Sequence, residues 1–195
     1  MTDEVKNMWD VILNLAAMVG AVIGFVLGLR QWQRGQAWQR ADKLDGFIEK
    51  FETDELLRLA AVVLDWTDRK IKYRERTLTV LNNEALMALR DHRSMETPEF
   101  PGEQATLRDA YDTLLAFLVR LELSISNGLI DAVPAKAYFA YWLERLVSFD
   151  RHPDKDGKIL DGRSPETMVS GYIKAYSDLD AIRRLCLKFG VKENL

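Results

Sequence analysis

An uncharged run near the start of the chain limits what it can fold into. Val11 to Leu29 reads VILNLAAMVGAVIGFVLGL, nineteen residues between Asp10 and Arg30. At about 1.5 Å per residue, a helix of that length covers roughly 28 Å, close to the hydrocarbon thickness of a bilayer. Helices of soluble proteins need a polar face and rarely run so long without a charge. Asn14 is the one strongly polar side chain in the run. Trp9 and Trp32 flank it, in the manner of interfacial aromatics. A cleavable signal peptide fits poorly. Its leading region would be basic, yet Asp3, Glu4 and Asp10 stand against Lys6, and no A-x-A-like site follows the run.

Arg30, Arg34, Arg40 and Lys43 follow the run, and only Lys6 precedes it. The positive-inside rule then sets the C-terminal side in the cytoplasm. The expected organisation is a short extracytoplasmic N-terminus (1–10), a transmembrane helix (11–29), a basic juxtamembrane helix (30–52) and a cytoplasmic helical domain (53–195). Trp9, Arg30, Trp32 and Arg34 are the expected membrane-surface residues. The formal charge of the whole chain is −3, so no global basic field marks a nucleic-acid binder. The single cysteine excludes an internal disulfide and suits a reducing compartment, and two histidines leave little for a metal centre.

Within the run, Ala16, Gly20, Gly24 and Gly28 recur every fourth residue. Small residues at this spacing form a groove that lets a second helix backbone approach closely. With one span per chain, the partner helix comes from another chain. Asn14 can add an interchain hydrogen bond or line a polar interior. These five residues are the expected oligomerisation or pore site.

The rest of the chain reads as all-α. LRQWQRGQAWQRADKLDGFIEKF contains no Pro, so the span continues without a break and Gly35 is only a weak spot. Thr53 or Asp54 caps a helix carrying Leu56, Leu57, Ala60, Val63 and Leu64. A third helix begins near Asn83, and Ser94 to Gln104 reads as a loop. A long helix from about Gln104 to Ser126 carries the stripe Leu107, Tyr111, Leu114, Leu115, Leu118 and Leu121, and Asn127-Gly128 ends it. Pro134 sits in the first turn of the next helix, which holds Tyr138, Tyr141, Trp142, Leu146 and Phe149. A polar loop, DRHPDKDGKILDGR, leads to a final helix opened by Ser164-Pro165 and closed by Gly190. Only Thr77 to Leu81 hints at period-two alternation. One membrane helix under a bundle of about five helices is the expected fold.

Signs of chemistry are sparse. Asp154, Asp156, Gly157 and Ile159 match part of a calcium loop, but His152 and Arg163 occupy its first and last ligand positions, where carboxylates are needed. No metal is expected. His92, in Arg90-Asp91-His92-Arg93, reads as a solvated helix end. Asp65, Asp68, Asp178 and Asp180 read as solvated or capping carboxylates. Arg145 and His152 have the Arg-to-His spacing of the higher-eukaryote-and-prokaryote nucleotide-binding (HEPN) ribonucleases. There, paired subunits use His as general acid or base and Arg to stabilise phosphate charge. That family prefers a polar residue after the Arg, and this chain has Leu146. Phosphate-loop, dinucleotide, zinc-protease and nucleophile-elbow motifs are absent. No cofactor and no small-molecule substrate is expected.

The layout resembles a widespread family of bacterial single-pass helical membrane proteins. The likeness lies in the basic segment after the span, the helix ending LDWTDRKI, and LVRLELSISNGLIDAVPAKAYFAYWLERL, above all the SNGLID turn followed by YFAYWLERL. It is also similar to the transmembrane accessory proteins of type VI-B CRISPR systems. These join an N-terminal span to a distantly HEPN-like helical domain and assemble as a membrane pore ring. The resemblance implies a homo-oligomeric bacterial inner-membrane protein. Its implied role is that of a pore-forming or membrane-depolarising accessory effector in antiviral defence, non-enzymatic and triggered by a CRISPR nuclease or RNA complex. It makes Arg145 and His152 the remnant of a catalytic motif. Two alternatives stay open: a membrane-anchored HEPN-like ribonuclease, and a monomeric anchor that recruits a cytoplasmic partner.

Overall fold

A computed structural model describes residues 3–65, 69–80, 82–90, 102–148 and 165–192, with the backbone alone for 3–14, 82–84 and 165–166. The elements run in the order α1 (Asp3–Thr53), α2 (Glu55–Asp65), β1 (Arg69–Tyr73), β2 (Arg76–Val80), α3 (Asn82–Met87), α4 (Gly102–Ser126), α5 (Ala132–Val147), α6 (Pro165–Tyr176) and α7 (Leu179–Phe189). The chain forms two compact units, Met1–Asp42 and Lys43–Leu195, so the division falls inside the stretch 30–52.

The first unit is one helix, the greater part of the 51-residue α1. It passes through Arg30 and Gly35 unbroken, as the absence of Pro and the excess of strong helix formers dictate. The second unit begins with the last turns of α1, where Leu44 and Phe51 are buried and Phe47 and Ile48 pack against the core. Phe51 is the hub of an aromatic cluster. Its ring lies 5.6 Å from those of Phe117 on α4 and of Phe139 and Trp142 on α5, edge-on to Phe139. Such tilted and edge-to-face contacts suit the ring quadrupoles and add to the area buried.

Local chemistry ends and starts each helix. Asp54 caps α2: its Oδ1 accepts from the backbone N–H of Leu56 (3.0 Å) and Leu57 (3.1 Å). Thr53, the other candidate, turns back to donate to the Glu49 carbonyl at 2.7 Å. All six residues of the α4 stripe are buried. Gly128 takes the left-handed conformation (φ 68°) that closes α4, while Leu129 N–H reaches back to the Ser124 carbonyl at 2.9 Å. Pro134 falls in the first turn of α5, where its missing N–H leaves no bond unmade.

The architecture is helical, as its periodicity predicts, with two local departures. First, β1 and β2 form a two-stranded antiparallel hairpin with Lys70 opposite Thr79, Ile71 opposite Leu78 and Lys72 opposite Thr77. Leu78 and Val80 face the core, so the alternation hinted at by Thr77 to Leu81 is a strand's. Second, the helix expected between Ser164 and Gly190 is two helices. Asp178 interrupts it by capping α7, its Oδ1 accepting from Ala181 N–H at 2.9 Å. Gly190 (φ 67°) ends α7 as expected. Among the described residues, six helices therefore follow α1 where five were expected. Phe149, Asp68, His92, His152 and the calcium-like loop lie outside the described residues.

Three tyrosines tie helices together through carboxylates. Tyr138 on α5 donates to Glu52 on α1 and Tyr172 on α6 to Asp112 on α4, each at 2.5 Å, and Tyr141 on α5 donates to Asp65 on α2. Burial and the Glu52 bond push the Tyr138 hydroxyl up to about 12, and burial and Asp112 push Tyr172 up as well. The Asp65 bond, ahead of burial, raises Tyr141. Because Phe51 joins α1 to both α4 and α5, Phe51→Ala is expected to destabilise the second unit by about 3–5 kcal/mol. Phe51→Leu is expected to cost clearly less. Urea unfolding in detergent, followed by circular dichroism, measures both; equal midpoints for Phe51→Ala and the parent would refute the hub role.

Candidate functional site

The apolar stretch of α1 presents a helical surface with none of the described residues against it. Every side chain from Leu15 to Leu29 is exposed, including Met18, Val19, Val22, Ile23, Phe25, Val26 and Leu27. Among the described residues, α1 is the one helix long and apolar enough to cross a membrane. A core helix of a soluble protein would bury such side chains; here none of the apolar window is buried. Arg30, Trp32 and Arg34 follow it, all exposed, with Trp38 beyond them.

Along one side of this helix run Ala16, Gly20, Gly24 and Gly28, about 40° apart at each four-residue step. A Cβ added at Gly20, Gly24 or Gly28 would meet no atom within 4 Å. The glycines therefore do not serve packing inside the chain; the groove they make is open. Asn14 and Trp9 belong to α1 by their backbone, but their side chains lie outside the described ones.

Arg145 and His152 are not brought together among the described residues, because His152 lies outside them. Arg145, in the last turn of α5, donates from Nη2 to the Leu64 carbonyl at 3.1 Å. That carbonyl belongs to the C-terminal turn of α2, which has no helical N–H to bond and carries the negative end of the helix dipole. The neighbouring Tyr141–Asp65 bond closes the same junction. The Arg145 Nε is buried with no hydrogen-bond partner. The geometry thus gives Arg145 a part in joining α5 to the end of α2.

Two clusters escaped the sequence reading. Glu122 is wholly buried in α4 and binds both cations that α7 presents one turn apart. Arg184 Nε and Lys188 Nζ each donate to its Oε1 at 3.0 Å, and Ser126 Oγ donates at 2.6 Å. Burial pushes this carboxyl up, but the bonds from Arg184, Ser126 and Lys188 outweigh it and hold Glu122 at about 2. It is therefore a fixed anion at neutral pH, a tie between helices and not a proton-transfer group. The signal lay in the stripe itself: Glu122 falls between Leu118, Leu121 and Ile125, facing Arg184 and Lys188 spaced i, i+4. In the second cluster, Arg108 is buried on α4 and donates from Nη1 to the carbonyls of Ala88 (3.1 Å) and Arg90 (2.8 Å) after α3. Its guanidinium also lies over the rings of Tyr172 and Tyr176, 4.8 and 4.5 Å from their centroids. Among the described residues, no group of three His, Cys, Asp or Glu could hold a metal ion.

The depressed Glu122 value fixes a sign. Its contribution to stability is complete above the unfolded value of 4.5 and is lost as pH falls toward about 2. The interval corresponds to about 3 kcal/mol, and Glu122→Gln is expected to lose a comparable amount at neutral pH and to flatten the acid limb. Urea midpoints measured from neutral pH down to about pH 3 test this; an unchanged acid limb in Glu122→Gln would contradict it. Compared with family models, with curated proteins and with solved structures, the chain finds no match.

Proposed function

We propose that the protein is a single-pass inner-membrane protein that self-associates through its span, with the helical domain on the cytoplasmic side. In this reading it acts as a pore-forming or membrane-depolarising accessory effector in antiviral, CRISPR-type defence. One observation carries the association: Gly20, Gly24 and Gly28 form an open groove on a helix whose apolar surface is covered by none of the described residues. In a bilayer, lipid tails are as apolar as leucine, so helices associate through close backbone packing and interhelical hydrogen bonds. A glycine row supplies that close approach, and Asn14 from each copy supplies a polar group to pair across helices or to line an interior. Effector and defence roles come from the likeness to the accessory proteins of type VI-B systems, and the basic flank Arg30–Arg34 supports the orientation.

The mass of the detergent-solubilised protein tests the association. A single large species is expected, with Gly24→Leu reducing it to smaller particles. Val22→Phe, an equally apolar enlargement on the opposite face of α1, is expected to leave it intact. Liposomes holding the parent protein are then expected to leak ions faster than those holding Gly24→Leu. A parent particle of one chain would remove the pore reading and leave a monomeric anchor.

A further inference from the structure

The β1–β2 hairpin concentrates basic charge in a few residues. Within Arg69–Thr77, reading RKIKYRERT, Arg69, Lys70, Lys72, Arg74 and Arg76 stand against Glu75 alone, and all five cations are exposed. This excess sits in a stretch, Arg30 to Leu195, that is near neutral as a whole at 26 basic and 27 acidic residues. Register divides it between two faces. Lys70 pairs with Thr79 and Lys72 with Thr77 on one face of the ribbon; Ile71 pairs with Leu78, Arg69 with Val80 and Tyr73 with Arg76 on the other. Leu78 and Val80 are buried in the core, so the lysine–threonine face is the outward one.

Most of this charge is left over from the protein's own ion pairs. Among the described residues, Lys70, Lys72 and Arg76 have no ion-pair partner. Arg74 meets Glu55 at 3.4 Å in a pair with both side chains mostly exposed, the kind that contributes little. Arg74 also holds φ at 53°, the left-handed region where glycine carries less strain, so the turn keeps a cation at a conformational cost.

We propose that this hairpin docks on the headgroups of an anionic lipid bilayer. The proposal rests on the reading of α1 as a membrane span, which ties the domain to such a surface and makes docking an intramolecular event. Charge complementarity selects the surface: each Lys or Arg close to an anionic leaflet favours binding about fivefold. Nucleic acid fits the ribbon less well. Sequence-tolerant strand binding stacks bases on aromatic rings, and the outward face offers none. The one nearby aromatic, Tyr73, belongs to the inner face, with the Arg74 guanidinium 5.3 Å from its ring centroid.

The test uses the full chain carrying Thr77→Cys, labelled with an environment-sensitive fluorophore. The native Cys186 is fully buried, which leaves position 77 as the reactive thiol. The protein is reconstituted into vesicles of phosphatidylcholine alone or with about one third phosphatidylglycerol. A blue shift is expected only with phosphatidylglycerol. It should vanish at about 1 M salt, where screening shortens to about 3 Å. It should also vanish in Lys70→Glu/Lys72→Glu, whose folding circular dichroism verifies. The same emission in both lipids overturns the docking, and so does a shift produced by polyuridine RNA in place of anionic lipid. Carbonate extraction separates the two readings. Protein retained in both vesicles without a shift leaves the span standing and removes the hairpin's role; release from both removes the span, and the docking with it.

Discussion

The apolar surface of α1 sets the terms for everything else in this chain. From Leu15 to Leu29, nine large apolar side chains are exposed and have no cover among the described residues. Leaving such side chains in water forgoes about 1.5–3 kcal/mol each, and together this is as large as the roughly 5–15 kcal/mol by which a folded domain is usually stable, or larger. The surface needs a cover that the described residues do not supply. A helix satisfies all its own backbone bonds, so hydrocarbon can supply that cover at no polar cost. Under the proposed self-association, the glycine row is the strip that another helix would cover, since a backbone gains close contact in a groove from which lipid tails gain little.

The same helix, without a break, supplies the first wall of the second unit. Phe47, Ile48 and Phe51 enter the core between α4 and α5, and Glu52 receives the Tyr138 hydroxyl. This explains why the unit boundary lies at Asp42–Lys43 and not at the cap of α2: the apolar period of α1 resumes at Leu44, after a stretch whose residues are mostly polar and exposed. Arg145 and Arg108 extend the logic to helix ends. Each points its guanidinium at carbonyls where a helix stops, Leu64 in one case and Ala88 and Arg90 in the other. An arginine is suited to this because its donors are always charged and fan out in a plane.

Much of this was legible in the sequence where one physical signal acted alone. The uninterrupted α1, the α4 stripe, the cap at Asp54 and the stops at Gly128 and Gly190 all follow from periodicity, backbone freedom or capping chemistry. The hairpin did not, because β1 is only five residues long and its alternating partners are lysines, which read as a charged helix end. The break between α6 and α7 was hidden for a different reason. It contains neither Pro nor Gly and depends on the Asp178 carboxylate winning the Ala181 N–H. Glu122 defeats any hydropathy reading, since a buried carboxylate is tolerable only once Arg184 and Lys188, 62 and 66 residues away in sequence, are in place. Likewise the spacing of Arg145 and His152 suggested a phosphate site, whereas the Leu64 carbonyl that engages Arg145 is 81 residues distant.

The near-neutral charge of the region after the span conceals an unequal use of the two signs. Glu52, Asp65, Asp112 and Glu122 are each held by a hydroxyl or a cation from another helix, so these acids act as internal ties. Their hydrogen bonds are charge-assisted and directional, which fixes how α1, α2 and α4 meet α5, α6 and α7. The compensating bases are not spread evenly over the surface. Lys70, Lys72, Arg74 and Arg76 gather, all exposed, on one short hairpin that buries Leu78 and Val80 in the core. Glu55 answers this charge in an exposed pair with Arg74, which cancels little of it, so the field of that hairpin is felt outside the molecule, over the roughly 8–10 Å that physiological salt allows. Net charge therefore says little about what such a domain attracts. The fold decides it, by consuming one sign in its joints and leaving the other at the surface.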